Sequence, residues 1–329
     1  MTEQQRGSLG TSSVPAIIAE IGSNFHSLQH CLDSITEAKL AGADFAKFQA
    51  YTGEALYGPG HASICHELPL AWLPILKAQA DRKGIGLIVT AFSPELVAVV
   101  DPYVTVHKVA SSDLCYPQLL EAVAKCGKPV LLSTGAASEA DIGRALDILD
   151  DHDADTTLLY CVASYPARTV DLRMMEELER RFDITVGFSD HTTDILGAPI
   201  VACAWGAVVL EKHVTFFEDL DTPDRPHSLT GEEFKLMVDH IRGTREPVIG
   251  PTSEEKAMVL RHRRRLIATT DVVIGEILRY GENYGAYRAL EDDDHGLTPF
   301  LWNHEQWGPE GKAALKAITK GKGVGPGDF

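Results

Sequence analysis

The sequence lacks the features that mark several common classes of protein. Its six cysteines form no Cys-x-x-Cys pair and no zinc-type spacing, which argues against a disulfide framework or a zinc ribbon. No apolar run has the length of a membrane span, and no signal peptide is recognisable. We therefore predict a cytoplasmic protein with reduced thiols.

Positive charge is also scarce. The 329 residues include 30 lysines and arginines against 47 aspartates and glutamates, which gives a formal net charge of −17. This balance argues against nucleic-acid or anionic-membrane partners. An anionic substrate would have to be held by a local cluster of cations inside the acidic chain.

A β-α unit repeats eight times from residue 14 onwards. Each unit has a short apolar run, one or two polar residues and an amphipathic helical pattern. The apolar runs are residues 16–22, 45–51, 86–92, 105–111, 129–135, 157–164, 185–191 and 207–216. Eight units predict an α/β fold, a (β/α)8 TIM barrel over residues 14–245. The alternative is an open doubly wound sheet. We rank it second because such a sheet usually has fewer strands and needs no closure.

Three segments lie outside the predicted barrel. Residues 1–13 are polar and rich in Ser, Thr and Gly, and we expect a loose leader. Residues 246–264 contain Pro, Gly and a basic cluster and are predicted to be a linker. Residues 265–329 alternate short β-like pieces with Gly and Asp, which predicts a small β-rich domain. A domain of this size has little core of its own, so we expect it to dock on its own barrel or a partner's.

Polar side chains occupy the carboxyl end of every predicted strand, where barrel enzymes place their chemistry. They are Glu20, Lys47, Gln49, Thr90, Lys108, Ser111, Ser112, Ser133, Thr134, Ser164, Tyr165, Ser189, Asp190, His191, Glu211 and His213. Lys47 and Lys108 lie within apolar runs, and a buried lysine almost always needs an anionic partner. That partner is either Glu20 or Glu211, in a purely structural pair, or a bound phosphate or carboxylate, which we favour.

Two histidines occupy matched positions on successive strands. His191 and His213 are 22 residues apart, which fits one strand, one helix and the next parallel strand. Neighbouring strands lie about 4.8 Å apart, so both imidazoles can reach one ion. Because side chains alternate along a strand, Ser189 shares a face with His191, and Glu211 shares one with His213. The pair predicts a metal site rather than two unrelated histidines.

Six short motifs follow one another along the chain. They are Ala19-Glu-Ile-Gly-Ser-Asn24, Ala43-Asp-Phe-Ala-Lys-Phe-Gln49, His107-Lys-Val-Ala-Ser111, Gly127-Lys-Pro-Val-Leu-Leu-Ser-Thr-Gly135, Gly187-Phe-Ser-Asp-His-Thr192 and Glu211-Lys-His213. In order and spacing they resemble the sialic acid synthase family, over nearly the whole chain. Members of that family condense phosphoenolpyruvate with N-acylmannosamine-type sugars to make nine-carbon sugar acids. Arg264-Arg-Leu-Ile-Ala, followed by Gly275-Glu, resembles the start of their antifreeze-like (SAF) domain. Residues 265–329 lack the Arg-Pro-Gly run of that family, so the resemblance implies a divergent SAF domain.

The resemblance implies a role for each matching residue. His191 and His213 would bind a divalent metal, Mn²⁺ or Mg²⁺. The residues implied to hold phosphoenolpyruvate are Lys47, Lys108, Ser111, Ser133 and Ser189. The residues implied to face the sugar are Gln49, Tyr165, Asp224 and Arg288, the last reaching across a homodimer from the partner's SAF domain. The implied product is a 2-keto-3-deoxy sugar acid of the sialic-acid type, released with phosphate.

The implied reaction also needs a general base, because water must add to C2 of phosphoenolpyruvate after C3 has attacked the aldehyde. A carboxylate suits this task, and Glu20 is the first candidate, with Glu211 the second. The alternative role for Glu211 is to orient a metal ligand or Lys108.

Two positions depart from the family pattern. Ala163 stands where many relatives have Asn or Ser, and the segment Asp224-Arg-Pro-His-Ser228 differs from the usual residues between that acid and the serine. A pocket group left unpaired costs about 1–3 kcal/mol, so such changes can switch the sugar. The acceptor sugar therefore stays open.

Three other functions fit parts of the pattern. A synthase that uses a phosphorylated aldose would need a further basic cluster, and none is clear at the strand ends. A metal-dependent barrel hydrolase usually has a His-x-His motif on the first strand, which residues 18–22 lack. A non-catalytic relative would have kept the barrel and lost turnover.

Overall fold

The structure is a computed structural model that describes residues 15–58, 60, 66–217, 219–243, 255, 263–288 and 295–329. It divides into two compact units, Met1–Glu246 and Pro247–Phe329. The predicted leader and most of the predicted linker lie outside the described residues.

The first unit contains eight parallel strands. They are β1 (Ala16–Gly22), β2 (Phe45–Ala50), β3 (Gly86–Ala91), β4 (His107–Val109), β5 (Val130–Ser133), β6 (Thr156–Tyr160), β7 (Val186–Asp190) and β8 (Val209–Thr215). Their hydrogen-bonded order is β3-β2-β1-β8-β7-β6-β5-β4. The end strands β3 and β4 lie side by side, so the sheet forms a nearly closed ring. The predicted (β/α)8 barrel is confirmed, and the open doubly wound sheet is wrong.

Helices follow the strands and cover the outside of the ring. They are α1 (Leu28–Leu40), α2 (Gly53–Tyr57), α3 (Leu73–Lys83), α4 (Pro94–Val100), α5 (Pro117–Ala124), α6 (Glu139–Asp150), α7 (Arg173–Phe182), α8 (Ala198–Ala204) and α9 (Gly231–Gly243). Serine side chains cap the first turns of α1, α4 and α6 by accepting a backbone N–H, as expected at helix starts. A two-residue strand, β9 (Leu229–Thr230), pairs with the end of β8.

The inside of the barrel is layered. An apolar layer is formed by Ala16, Ile18, Ile88, Val106, Leu131, Leu159 and Val209. Side chains alternate along a strand, so the next inward residue is two positions further on. Those next residues are polar and include Glu20, Thr90, Lys108, Ser133 and Glu211. The apolar layer therefore forms a floor, and the polar layer lies above it at the carboxyl ends of the strands.

The outward faces of the strands pack on the helices. Ile17, Ala19 and Ile21 of β1 lie in one large core with Ile35 of α1 and Leu76 of α3. Burial on both faces explains why these strands read as continuous apolar runs.

One buried ion pair lies outside the polar layer. Asp190 and Lys212 are register partners on β7 and β8, and their side chains are 0% exposed. The Lys212 ammonium donates to Asp190 Oδ2 (2.7 Å) and to the carbonyl of Thr192 (2.6 Å). Asp190, at a predicted strand end, is thus a structural partner of Lys212 and does not line the cavity described below.

The second unit contains a two-stranded antiparallel sheet, β10 (Arg265–Ala268) with β11 (Tyr284–Tyr287). Its core contains Leu266, Ala268, Val272, Leu278, Tyr284, Ala314, Ile318 and Val324. Isolated bridges join residues 267 with 323, 272 with 318 and 277 with 313. The assignment of this unit as a divergent SAF domain stays a prediction.

Among the described residues, no helix is both long and apolar enough to cross a membrane. Five cysteines are described, and all are free thiols: Cys31, Cys115, Cys126, Cys161 and Cys203. Cys65 lies outside the described residues.

Candidate active site

A cavity of about 790 Å³ opens at the carboxyl ends of the barrel strands. Its volume is within the usual range for small-molecule sites. Twelve of the thirteen predicted site residues line it: Glu20, Lys47, Gln49, Lys108, Ser111, Ser133, Tyr165, Ser189, His191, Glu211, His213 and Asp224. Arg288 is exposed in the second unit, after β11, so its contact with a sugar stays a prediction.

Strand register assembles the first part of the site. Lys47 on β2 and His213 on β8 are the register partners of Glu20 on β1. The Lys47 ammonium lies 2.6 Å from Glu20 Oε2 and 3.5 Å from Glu211 Oε2. Gln49 donates to the other oxygen of Glu20 at 2.6 Å. Lys47 therefore pairs with Glu20 and Glu211, which is the structural alternative that the sequence analysis favoured less than a bound anion. Its positive charge is already balanced by these carboxylates.

Lys108 differs from Lys47. Its ammonium donates to the carbonyl of Val109 at 3.1 Å, and it makes no ion pair within 4 Å among the residues that the structure describes. Burial lowers the pKa of Lys108, although nearby Glu211 opposes the shift. The hydroxyls of Ser133 and Thr90, which also line the cavity, have no hydrogen-bond partner in this part of the chain. A buried cation beside unpaired donors is the chemistry expected of an anion site.

The two carboxylates have opposite pKa shifts. Burial raises the pKa of Glu20, and the ammonium of Lys47 only partly offsets this. Burial also acts to raise the pKa of Glu211, but Lys108 and Lys47 outweigh it and hold that pKa at about 2. Ser189 donates to Glu211 Oε1 at 3.0 Å. Glu20 is accordingly the stronger base, while Glu211 is a fixed negative charge between two lysines.

The predicted histidine pair does converge. The rings of His191 and His213 have centroids 5.9 Å apart and lie at 62° to each other. His191 Nδ1 lies 2.7 Å from the carbonyl of Val162 and must donate to it, so Nε2 carries the lone pair and lies 3.4 Å from the Ser189 hydroxyl. Burial lowers the pKa of His191 to about 4 and that of His213 to about 3, so both imidazoles are neutral near pH 7. Tyr165 stacks on His191, with centroids 4.2 Å apart.

Asp224 reaches the site through a loop that contacts the end of β1. The backbone N–H of Ser23 donates to Asp224 Oδ2 at 2.7 Å, across 201 residues of sequence. Gly22 has φ of +58°, and a Cβ there would overlap the same oxygen. Burial acts to raise the pKa of Asp224, but its hydrogen bonds and the nearby imidazoles lower it well below its usual range. Asp224 is thus an ionised carboxylate held beside the imidazoles.

His227 is a site residue that our sequence reasoning missed. It is buried, lines the cavity and has its ring centroid 4.7 Å from that of His213 and 4.9 Å from that of Tyr165. The signal was present, because the Asp224-Arg-Pro-His segment departs from the family pattern. From sequence alone, that departure indicates only an altered sugar.

The donor set suits a divalent cation. Ligand atoms of His213, Asp224 and His227 all lie within 4.8 Å of one another. Buried His213 Nδ1 and His227 Nε2 have no hydrogen-bond partner among the described residues. Imidazole nitrogens with a carboxylate fit Mn²⁺ better than Mg²⁺, which prefers oxygen ligands.

Comparisons with known proteins place this architecture in a family. The NeuB family model matches residues 34–251. An uncharacterised protein from Methanocaldococcus jannaschii is 36% identical, over 82% of this chain and 84% of its own. A pseudaminic acid synthase from Campylobacter jejuni is 30% identical over 99% of both chains.

A solved structure agrees with the sequence matches. The sialic acid synthetase of Leptospira borgpetersenii, crystallised with citrate, has a TM-score of 0.67 and 31% identity, over 75% of this chain and 91% of its own. The family match spans most of the chain, and the named relatives are synthases of this type. The resemblance predicted from the six motifs is confirmed: the chain belongs to the NeuB family.

Proposed function

We propose that this chain condenses phosphoenolpyruvate with an N-acylmannosamine-type or related aldose. The products would be a sialic-acid-like 2-keto-3-deoxy sugar acid and inorganic phosphate. The observation that supports this best is the cavity itself. Among the described residues, Lys108 has no ion-pair partner and the Ser133 hydroxyl has no hydrogen-bond partner, and both lie on the same surface as a converging pair of imidazoles.

Phosphoenolpyruvate would be held by charge and by directed donors. Lys108, which forms no ion pair with any described residue, is the cation for its phosphate or carboxylate, with the hydroxyls of Ser111 and Ser133 as donors. Ser189 already donates to Glu211, so it would hold the substrate only by exchanging this bond. Lys47 contributes mainly by holding Glu20 and Glu211 in place.

The bond changes balance with one water. C3 of phosphoenolpyruvate bonds to the aldehyde carbon, and the aldehyde oxygen becomes a hydroxyl. Water adds to C2 and gives a proton to Glu20, whose raised pKa suits a general base. The bond from C2 to the phosphate oxygen then breaks, and C2 becomes the ketone as phosphate leaves. The two protons of the water end on the former aldehyde oxygen and on the phosphate. Lys47 and Gln49 orient the Glu20 carboxylate during these steps.

A divalent cation, Mn²⁺ by its donor set, would be held by His191 and His213. When bound, it would polarise the aldehyde oxygen as a Lewis acid, an effect worth several kcal/mol in the transition state. Tyr165 stacks on the ring of His191, and in this proposal it faces the acceptor sugar beside these ligands.

The assembly belongs to the same proposal. The enzyme would work in the cytoplasm as a homodimer in which the small domain reaches the partner's barrel. In that arrangement Arg288, which is exposed after β11, would contact the acyl group of the sugar.

The test is release of inorganic phosphate. The purified chain is mixed with phosphoenolpyruvate, Mn²⁺ and a panel of N-acylated hexosamines, plain aldoses and phosphorylated aldoses. Phosphate should appear with N-acylated acceptors and disappear with a chelator or with Lys108→Met. Turnover only with phosphorylated aldoses would favour the rival synthase. No turnover with any acceptor, with phosphoenolpyruvate still bound, would favour a non-catalytic relative.

A further inference from the structure

We infer that His227 is a further protein ligand of the divalent cation, beside His213 and Asp224. This inference rests on the proposed function, because it concerns the cation that the proposed reaction uses. To the predicted pair of His191 and His213 it adds a carboxylate and a further imidazole from the loop after β8.

The distances support a shared ion. Asp224 Oδ1 lies 3.5 Å from His227 Nε2, and the rings of His213 and His227 are 4.7 Å apart between centroids, at 76°. Donors bound about 2.1 Å from one ion at neighbouring positions lie roughly 3.0–3.4 Å apart. The three donors are therefore close to a bound arrangement before any ion enters.

Local backbone geometry aligns two of these donors. Residues 225–227 form a 3₁₀ turn that follows Asp224 directly. With three residues per turn, side chains at positions i and i+3 lie on the same side, so Asp224 and His227 face one direction. Pro226, inside the turn, fixes its own φ and limits other conformations.

Hydrogen bonds hold this turn against the barrel. The Ser228 hydroxyl donates to the carbonyl of Asp224 at 2.7 Å, and Asn24 donates to that hydroxyl at 2.8 Å and to the carbonyl of Val214 at 3.0 Å. The Asp224 carboxylate also accepts the N–H of Ser23. The ligand pair is thus anchored to β8 and to the end of β1 rather than carried on a free loop.

Unsatisfied nitrogen atoms identify a ligand site here. His227 is 7% exposed and His213 is 6% exposed, yet His227 Nε2 and His213 Nδ1 have no hydrogen-bond partner in the described part of the chain. An unpaired buried polar group is destabilising, and a bound cation would offset that cost. His227 Nε2 lies 3.5 Å from the Asp224 carboxylate, and ligand atoms of His213 lie within 4.8 Å of both, so a positively charged ligand complements the cluster.

A second cluster in the barrel provides a contrast. Asp101, His107 and Cys126 also bring three ligand atoms within 4.8 Å. There, however, Lys128 lies 2.8 Å from the Asp101 carboxylate, and His107 lies 3.0 Å from the same oxygen. The positive charge next to the Asp101 carboxylate is therefore already supplied by the ammonium of Lys128. Only the His227 cluster combines a carboxylate with unpaired nitrogens, among the residues that the structure describes.

The experiment measures Mn²⁺ binding by the full-length chain, independently of turnover. Free Mn²⁺ is titrated by electron paramagnetic resonance, and pulsed measurements count the nitrogens coupled to the bound ion. For His227→Phe we expect Mn²⁺ affinity to fall about 10- to 100-fold and the nitrogen count to fall by one. The matched control is His240→Phe on the exposed face of α9, which should bind Mn²⁺ like the wild type.

A second variant and a second ligand complete the design. The second variant is His227→Gln, whose side chain is smaller than that of Phe and polar. If His227→Phe does not fold, the Mn²⁺ affinity and the nitrogen count of His227→Gln test the inference instead. Phosphoenolpyruvate affinity should stay within twofold in both variants, since Lys108 is unaltered. An unchanged Mn²⁺ affinity and nitrogen count would overturn the inference, and so would an altered sugar KM with normal Mn²⁺ binding. A wild type that binds no Mn²⁺ would also overturn it, while phosphate release would still decide the proposed function separately.

Discussion

The same substitution should strongly destabilise the protein at Lys47 and have little effect on its stability at Lys108. Nearby carboxylates raise the pKa of each lysine and burial lowers it, and the net shift depends on which effect is larger. Glu20 and Glu211 outweigh burial and raise the pKa of Lys47, whereas burial outweighs Glu211 and lowers the pKa of Lys108. A raised lysine pKa means that the folded state favours the charge, and a lowered pKa means that it does not.

The magnitudes follow from these contacts. Lys47→Met leaves two buried carboxylates without their nearest cation, and we expect a loss of about 3–5 kcal/mol in the free energy of unfolding. Lys108→Met breaks no ion pair within 4 Å, so we expect a change within about 1 kcal/mol. Binding should show the reverse order, because losing a charge-assisted bond from Lys108 should weaken phosphoenolpyruvate affinity about 10- to 100-fold.

The assay has two parts. Urea unfolding at pH 7 is monitored by the far-ultraviolet circular dichroism of the helices, and phosphoenolpyruvate binding is measured by calorimetric titration. Lys235→Met is the control, since Lys235 forms an exposed pair with Asp239 on α9 and should change neither quantity appreciably. Equal destabilisation by the Lys47 and Lys108 variants would refute the distinction between a paired and a free lysine. Normal phosphoenolpyruvate affinity in Lys108→Met would refute the anion site.

Three further predictions follow from the same geometry. Glu20→Gln should lower the rate of phosphate release about 10²- to 10⁴-fold while phosphoenolpyruvate still binds, and a normal rate in stopped-flow assays would exclude Glu20 as the base. Gly22→Ala should cost about 1–3 kcal/mol of unfolding free energy, because φ is +58° and the new Cβ meets Asp224; an unchanged urea midpoint would contradict this. The neutral state of His191 and His213, with pKa values lowered from 6.5 to about 4 and about 3, contributes stability that is complete above pH 6.5 and lost as the pH falls towards those values. The urea midpoint should therefore drop between pH 7 and pH 4.5, and a constant midpoint would oppose it.

Much of the barrel site could be predicted because its determinants are local. Strand length, helix period and turn residues repeat within each β-α unit, so eight units were countable from the pattern alone. The alternation of side chains then placed Glu20, Lys108 and Glu211 two residues beyond an inward apolar residue. The 22-residue spacing of His191 and His213 indicated neighbouring strand ends, and their rings do lie close together.

The tertiary structure decided what depends on contacts between distant segments. Whether a buried lysine is paired follows from strand register, which sets Lys47 opposite Glu20 and leaves Lys108 opposite Leu131. The position of His227 depends on a 3₁₀ turn docking on residues about 200 positions earlier, a contact with no periodic signature in the sequence. Local periodicity determines which side chains face the cavity, and only the assembled barrel determines which of those side chains are already satisfied and which still need a ligand.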